Sequence, residues 1–158
     1  MGAITQSNLR TLYERHPDAL FFIMVRDIRD VFASMRNKGN FSYTAVQAAT
    51  LWKNRIIEFR EFVASNNSSA MEIKYEELVE YPEKILLKVC EFAKINYSSQ
   101  MINYHDQNLS LFQNPHGHLS CEQLKKGLND TSIGRWKSEL SPGDVESITD
   151  TVGDMLYE

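Results

Sequence analysis

The sequence predicts an α/β fold with a parallel sheet. Residues 20–25, LFFIMV, are six consecutive apolar residues, a pattern typical of a short strand buried inside a parallel sheet. Residues 71–75, MEIKY, predict a second short strand. Elsewhere the apolar residues recur at helical spacing, and strands that alternate with helices indicate a parallel sheet. Two strands do not complete such a sheet, so we expect either that a part is missing or that a partner supplies it.

Helix boundaries follow from periodicity and from the residues that begin or end helices. From Thr44 to about Ala64 the apolar residues follow one face of a long helix. Pro82 and the Ser141-Pro142 pair are suited to the first turns of two further helices. The remaining segments are a short helix that ends near Pro17, a turn leading into a helix over residues 27–36, and mostly loop over residues 96–130.

The composition is that of an ordinary globular domain, with 42% hydrophobic and 24% charged residues in a chain of 158. It predicts a single domain over residues 1–158. The net charge of -4 argues against a general binder of nucleic acid or of anionic membranes. No apolar run approaches the ~20 residues that span a bilayer, and the first residues lack the pattern of a signal peptide. Two cysteines are too few for a disulfide scaffold, so we expect a reduced, cytoplasmic protein.

The segment VRDIRDVFAS, residues 25–34, is the most informative about chemistry. It places Arg26 at the carboxyl end of the first strand, where open α/β sheets bind their ligands. A guanidinium offers a rigid fork of donors for phosphate, and a helix start adds backbone N–H groups. The alternative is a surface cluster of ion pairs, in which Asp27 and Asp30 neutralise Arg26 and Arg29.

This segment resembles the sulfotransferases that use 3′-phosphoadenosine 5′-phosphosulfate (PAPS) as the sulfuryl donor. In that family an Arg at a strand end, within an Arg-Asp-Pro-Arg-Asp-like run, and a Ser eight residues later hold the 3′-phosphate of the donor. Arg26 and Ser34 have this spacing. Ile28 stands where the family has Pro, which changes a backbone preference and no chemical group. The resemblance implies a core like that of P-loop nucleotide kinases, with Arg26 and Ser34 as a phosphate clamp.

A second segment resembles the same family in the expected order. Residues 74–78, KYEEL, followed by Pro82, are similar to its strand-to-helix junction. The Tyr of that junction lies beside the adenine of the donor, where an aromatic face can stack on a base. The resemblance therefore assigns this position to Tyr75. Without the resemblance, Tyr75 is simply a half-buried residue at a strand end.

The segment that ends in GRWK resembles the donor-binding loop of the tyrosylprotein sulfotransferase branch. On that resemblance Ser120, Lys126 and Arg135 face the phosphates of the donor. Lys38 corresponds to a basic residue twelve positions after Arg26. Without the resemblance, a segment with two lysines is a solvated loop.

Other features of the family do not occur upstream of Arg26. The family begins with a strand and a phosphate loop rich in Gly, Ser and Thr, and its catalytic base, a His or a Glu, also precedes the strand-end Arg. Nothing before Arg26 matches that loop, and His16 is interpreted as a cation at a helix end rather than as the base. We therefore expect the C-terminal portion of a sulfotransferase core, which lacks its first strand and phosphate loop and does not turn over donor by itself.

The function implied by the resemblance is transfer of a sulfuryl group from PAPS to a hydroxyl or amine acceptor. We expect no metal, and the net charge argues against a nucleic-acid or membrane partner. The alternative is a non-catalytic module of this fold that binds a nucleotide or another protein. A nucleotide kinase should have a Walker loop, and the sequence has none. A zinc site can be drawn from His105, His116, His118 and Cys121, but their spacing matches no standard structural zinc pattern.

Overall fold

The structure is a computed structural model and describes residues 6–37, 42–106, 127–128 and 130–156. Within these residues the backbone divides into two units. The first contains the residues up to Tyr75 and those from Ser132 onward, and the second contains those from Glu76 to Thr131. In chain order the elements are α1 (Gln6–Arg15), β1 (Phe21–Val25), α2 (Ile28–Arg36), α3 (Ala45–Ser65), β2 (Ala70–Lys74), α4 (Tyr75–Glu80), α5 (Pro82–Ala93), α6 (Trp136–Glu139) and α7 (Pro142–Val152), with short 3₁₀ helices at Ser99–Met101, Tyr104–Asp106 and Gly153–Leu156.

The two described strands pair in parallel, as the sequence predicts. Phe21 lies opposite Ala70 and Val25 lies opposite Lys74, and the chain passes from β1 to β2 through α2 and α3. The prediction of an α/β fold with a parallel sheet is confirmed. The second strand ends one residue earlier than expected, because Tyr75 begins α4.

The burial of β1 differs from the expectation. Ile23 and Val25 are buried, whereas Phe22 is 43% exposed and Met24 is 50% exposed. Since side chains alternate along a strand, one face of β1 packs against the core, and the described residues leave the other face accessible. A continuous apolar run has no period of two, so the sequence could not distinguish the covered face from the open one.

Two clusters of buried side chains stabilise the first unit, and α3 contributes to both. One cluster joins α2, α3 and α7, where the fully buried Ala49 allows the helices to pack closely. The other joins α1, β1, α3 and β2 and contains edge-to-face contacts among Tyr13, Phe21 and Phe62. Trp52 packs against both clusters. The helix α3 therefore fixes β1 relative to α2.

Side-chain caps explain where the helices of this unit begin. The N–H of Gln47 donates to Oγ1 of Thr44, and the N–H of Thr44 donates to Oε1 of Gln47, which forms a capping box at the start of α3. Oγ of Ser141 accepts a hydrogen bond from the N–H of Asp144 at the start of α7. Asp27 caps α2 through its carboxylate. The helix starts predicted at Thr44 and Ser141 are confirmed.

The described residues of the second unit are mainly helical. Helix α5 has Pro82 in its first turn, as predicted, and is capped at its end by Lys94 in the left-handed conformation, with φ 55°. Cys90 is buried, and its Sγ lies 3.6 Å from Sδ of Met101. None of the described helices in either unit is long and apolar enough to cross a membrane.

Candidate functional site

The candidate site lies at the carboxyl ends of the two paired strands. Arg26 directly follows β1 and Tyr75 directly follows β2. Because Val25 and Lys74 lie opposite each other in the parallel pair, the next residue of each strand lies at the same edge of the sheet. Helix α3 holds this edge, since Nε1–H of Trp52 donates to the carbonyl oxygen of Arg26 over 3.1 Å. Ligands bind at this end of open α/β sheets.

Ser132 connects the side chains of Arg26 and Tyr75. Nη2 of Arg26 donates to the carbonyl oxygen of Ser132, and the hydroxyl groups of Tyr75 and Ser132 lie 2.8 Å apart. The guanidinium carbon lies 4.5 Å from the centre of the Tyr75 ring, a cation–π contact. Nε of Arg26 is buried and has no hydrogen-bond partner among the described residues. A buried donor without an acceptor is destabilising, and a guanidinium at this position is suited to an anionic ligand.

The buried carboxylate of Asp30, in α2, binds the turn at residues 134–136 of the C-terminal segment. Asp30 is 1% exposed. Its Oδ2 accepts a hydrogen bond from the N–H of Gly134 at 2.8 Å, and its Oδ1 accepts one from the N–H of Trp136 at 3.1 Å. Gly134 has φ 74°, a conformation that side-chain-bearing residues rarely adopt. The two bonds place Arg135 between two fixed amides.

Beside this turn, Arg29 contacts both Asp27 and Trp136. Nη2 of Arg29 lies 2.6 Å from Oδ2 of Asp27, with the side chains 14% and 18% exposed. The guanidinium carbon of Arg29 lies 4.1 Å from the centre of the Trp136 ring. The ion-pair alternative therefore holds for Arg29. For Arg26, the described residues provide no carboxylate partner.

A family model described as "Sulfotransferase family" matches residues 5–99, which is more than half of the chain. The chain belongs to the sulfotransferase family. A Caenorhabditis briggsae protein provisionally named as a protein-tyrosine sulfotransferase is 23% identical over 147 residues, 90% of this chain and 52% of its own length. A Caenorhabditis elegans protein with the same provisional name is also 23% identical over 147 residues, 90% of this chain and 57% of its own. Protein-tyrosine sulfotransferase 2 of Gallus gallus is 25% identical over 141 residues, 82% of this chain and 37% of its own.

The resemblance to the sulfotransferases is thereby confirmed, and the names of these relatives agree with the tyrosylprotein sulfotransferase branch. The chain spans about half the length of the two nematode relatives and less of the avian one.

The structure brings together some of the residues predicted for the sulfotransferase donor site. Arg26 and Tyr75 are in contact. Arg135 lies in the turn held by Asp30, with its Nε 2.8 Å from Oε1 of Glu139 and its side chain 31% exposed. Ser34 is half-buried in the second half of α2, and no hydrogen bond within the described part of the chain joins it to Arg26. Three further predicted positions, Lys38, Ser120 and Lys126, lie outside the described residues.

Two less favoured sequence hypotheses can also be placed. His16 is exposed and follows α1, so it precedes the amino end of β1, whereas Arg26 follows the carboxyl end. The intervening strand of five residues, at about 3.3 Å each, separates them and disfavours His16 as a base at this site. The zinc hypothesis rests mostly on residues outside the described ranges. Within those ranges no group of three or more potential metal-ligating residues occurs.

Sequence reasoning missed three contributors to the site of this sulfotransferase-family chain. The sequence suggests Asp30 only as a partner for an arginine, whereas in the structure it binds backbone N–H groups. Ser132 gave no signal, because it lies in a segment without periodicity. Trp52 is one of the apolar residues of the predicted helix over residues 44–64, and its indole N–H bond to Arg26 depends on tertiary structure. The burial of Asp30 could have been suspected from its position between apolar residues of an amphipathic helix.

Proposed function

We propose that this chain forms the 3′-phosphate and adenine side of the donor site of a sulfotransferase. The enzyme would transfer a sulfuryl group from PAPS to a hydroxyl or amine of an acceptor. Family membership supports sulfuryl transfer in general, and the names of the relatives make the phenol of a protein tyrosine a candidate acceptor. The finer assignment of this chain to one side of the donor rests on its own residues.

The proposal depends mainly on the position and hydrogen bonding of Arg26. Its guanidinium lies at the carboxyl end of a parallel strand, with one nitrogen bound to Ser132 and a buried Nε without a partner among the described residues. A guanidinium forms charge-assisted, often bidentate hydrogen bonds with phosphate. The guanidinium of Arg26 is therefore suited to the 3′-phosphate of PAPS.

Other residues of this chain would contribute to the same side of the donor site. Ser34 would add a hydroxyl donor to the 3′-phosphate, and Lys38, Ser120, Lys126 and Arg135 would contribute to the phosphate side. Tyr75 would border the adenine, although Arg26 contacts one face of its ring, so a base would meet the remaining surface. PAPS supplies the sulfuryl group, and the chain would hold the end of the donor remote from the transfer. Such positioning is a major part of catalysis in transfers of this type.

The test is a comparison of two nucleotides by calorimetry. We expect the 158-residue chain to bind adenosine 3′,5′-bisphosphate at least about tenfold more tightly than 5′-AMP, since a charge-assisted contact is worth about 1.5–3 kcal/mol. Arg26→Ala should remove this preference. Arg55→Ala is the matched control, because Arg55 is an exposed arginine of α3. Arg29 is a poor control, since it is half-buried and bound to Asp27. Equal affinity of the unaltered chain for the two nucleotides would contradict the proposal.

A further inference from the structure

Asp30 carries a buried charge that the proposed phosphate contacts do not use. Its two carboxylate oxygens each accept one backbone N–H, from Gly134 and from Trp136. We infer that Asp30 is a positioning residue of the donor site, which holds residues 132–136 in the arrangement that Arg26 requires. The inference rests on the proposed function, because it concerns the same site.

The connection from Asp30 to Arg26 is short and is made of specific contacts. Ser132 is only two residues from Gly134, and its carbonyl oxygen binds Arg26 while its hydroxyl lies against that of Tyr75. If the turn moved away from α2, Ser132 would move with it. Arg26 would then lose the bond that orients its guanidinium, and Arg135 would lose the two fixed amides beside it.

The two hydrogen bonds that Asp30 accepts depend on both of its carboxylate oxygens, so the change of a single atom should remove one of them. Hydrogen bonds from N–H groups to a carboxylate are stronger than those between neutral groups, and removal of the acceptor would leave buried N–H groups unsatisfied. Asp30→Asn keeps the shape of the side chain but offers one acceptor oxygen where Asp30 offers two. The NH₂ group of the asparagine would lie against one of the two backbone N–H groups. Because both groups are donors, one of the two hydrogen bonds must be lost.

The first experiment measures the 3′-phosphate preference, defined as the ratio of the Kd for 5′-AMP to the Kd for adenosine 3′,5′-bisphosphate. We expect Asp30→Asn to weaken binding of the bisphosphate about tenfold and to change that of 5′-AMP by less than about twofold. The reason is that 5′-AMP lacks the phosphate that Arg26 would hold. The control is Ile148→Val, which alters a fully buried residue of α7 outside the turn. Where the unaltered chain shows the preference, a role limited to stability would lower it in both variants or in neither, and either result would overturn the inference.

The second experiment needs no nucleotide and separates this inference from the proposed function. Asp30→Asn should speed the exchange of the Gly134 and Trp136 amide protons and should shift the Nε–H resonance of Arg26 in a nitrogen–proton correlation spectrum. An unchanged Arg26 resonance would overturn the positioning role, whatever the nucleotide preference. If the unaltered chain lacks the 3′-phosphate preference but Asp30→Asn produces the expected spectral changes, the result would contradict the proposed function alone.

A second variant covers the case in which Asp30→Asn does not fold. Gly134→Ala leaves Asp30 intact but strains the turn, because Gly134 has φ 74°. An added Cβ would meet only the side chain of Lys137, at 3.9 Å, so the effect would come from the backbone. We expect a smaller loss of the 3′-phosphate preference and the same shift in the Arg26 resonance. Wild-type values for both would overturn the inference.

Discussion

The guanidinium carbon of Arg26 lies 4.5 Å from the centre of the Tyr75 ring, and this contact follows directly from the strand register. Val25 pairs with Lys74, so the next residues along the two parallel strands come to lie at the same edge. The register also places an arginine and an aromatic ring side by side at the end of the sheet where ligands bind. Two segments 49 residues apart in sequence are thereby combined into one site.

The first prediction separates the ring of Tyr75 from its hydroxyl. Tyr75→Phe keeps the ring beneath Arg26 and removes the hydrogen bond with Ser132, so the free energy of unfolding should fall by about 1 kcal/mol. The 3′-phosphate preference should stay within about twofold, because the bond between Arg26 and Ser132 is retained. Tyr75→Leu also removes the cation–π contact, and a further loss of about 0.5–1 kcal/mol is expected. Urea denaturation and calorimetry measure these changes, and a lost preference in Tyr75→Phe would assign the hydroxyl a direct role.

The site could be predicted from sequence only as far as it depends on local patterns. Arg26 is singled out because it directly follows an apolar run, and Tyr75 because residues 74–78, KYEEL, resemble the strand-to-helix junction of the sulfotransferases. The bonds from Gly134 and Trp136 to Asp30 span more than a hundred residues. Nothing in the spacing of those residues reveals such a contact, since it forms only when the C-terminal segment packs against α2. The open face of β1 was missed because a fully apolar strand carries no alternation.

The second prediction concerns the capping box of α3. Thr44→Ala removes the acceptor for the N–H of Gln47 and should lower the free energy of unfolding by about 0.5–2 kcal/mol. Thr50→Ala is the control, because Thr50 is an exposed residue within the same helix. Alanine is the better helix former at that position, so the free energy of unfolding should stay constant or rise by about 0.5 kcal/mol. Equal losses for the two variants in chemical denaturation would show that the cap contributes nothing specific.

The third prediction tests the cluster that joins α2, α3 and α7. Ile148 is fully buried, so Ile148→Ala should lower the free energy of unfolding by about 2–5 kcal/mol through lost contacts and the resulting cavity. Ile57 is 41% exposed on α3, and Ile57→Ala should cost under about 1 kcal/mol because little apolar surface returns to water. Denaturation curves of both variants provide the measurement. A similar loss at the two positions would mean that the packing around Ile148 is much looser than described.

The last prediction concerns the end of α5, where a lysine occupies a conformation suited to glycine. Lys94 has φ 55° and ψ 40°. The N–H of Ile95 donates to the carbonyl of Cys90 and the N–H of Lys94 donates to that of Glu91, the two bonds of a Schellman motif. A side chain in the left-handed region costs about 1–2 kcal/mol, which glycine avoids.

Lys94→Gly should therefore raise the free energy of unfolding by about 1 kcal/mol, because the relief of strain exceeds the added freedom of glycine in the unfolded chain. Lys88→Gly is the matched control, since Lys88 is an exposed lysine within the same helix. At that position glycine should lower the free energy by about 0.5–1 kcal/mol. The two substitutions are chemically identical, so opposite signs in urea denaturation would isolate the backbone conformation at residue 94 as the cause. Losses of the same size at both positions would contradict the left-handed cap.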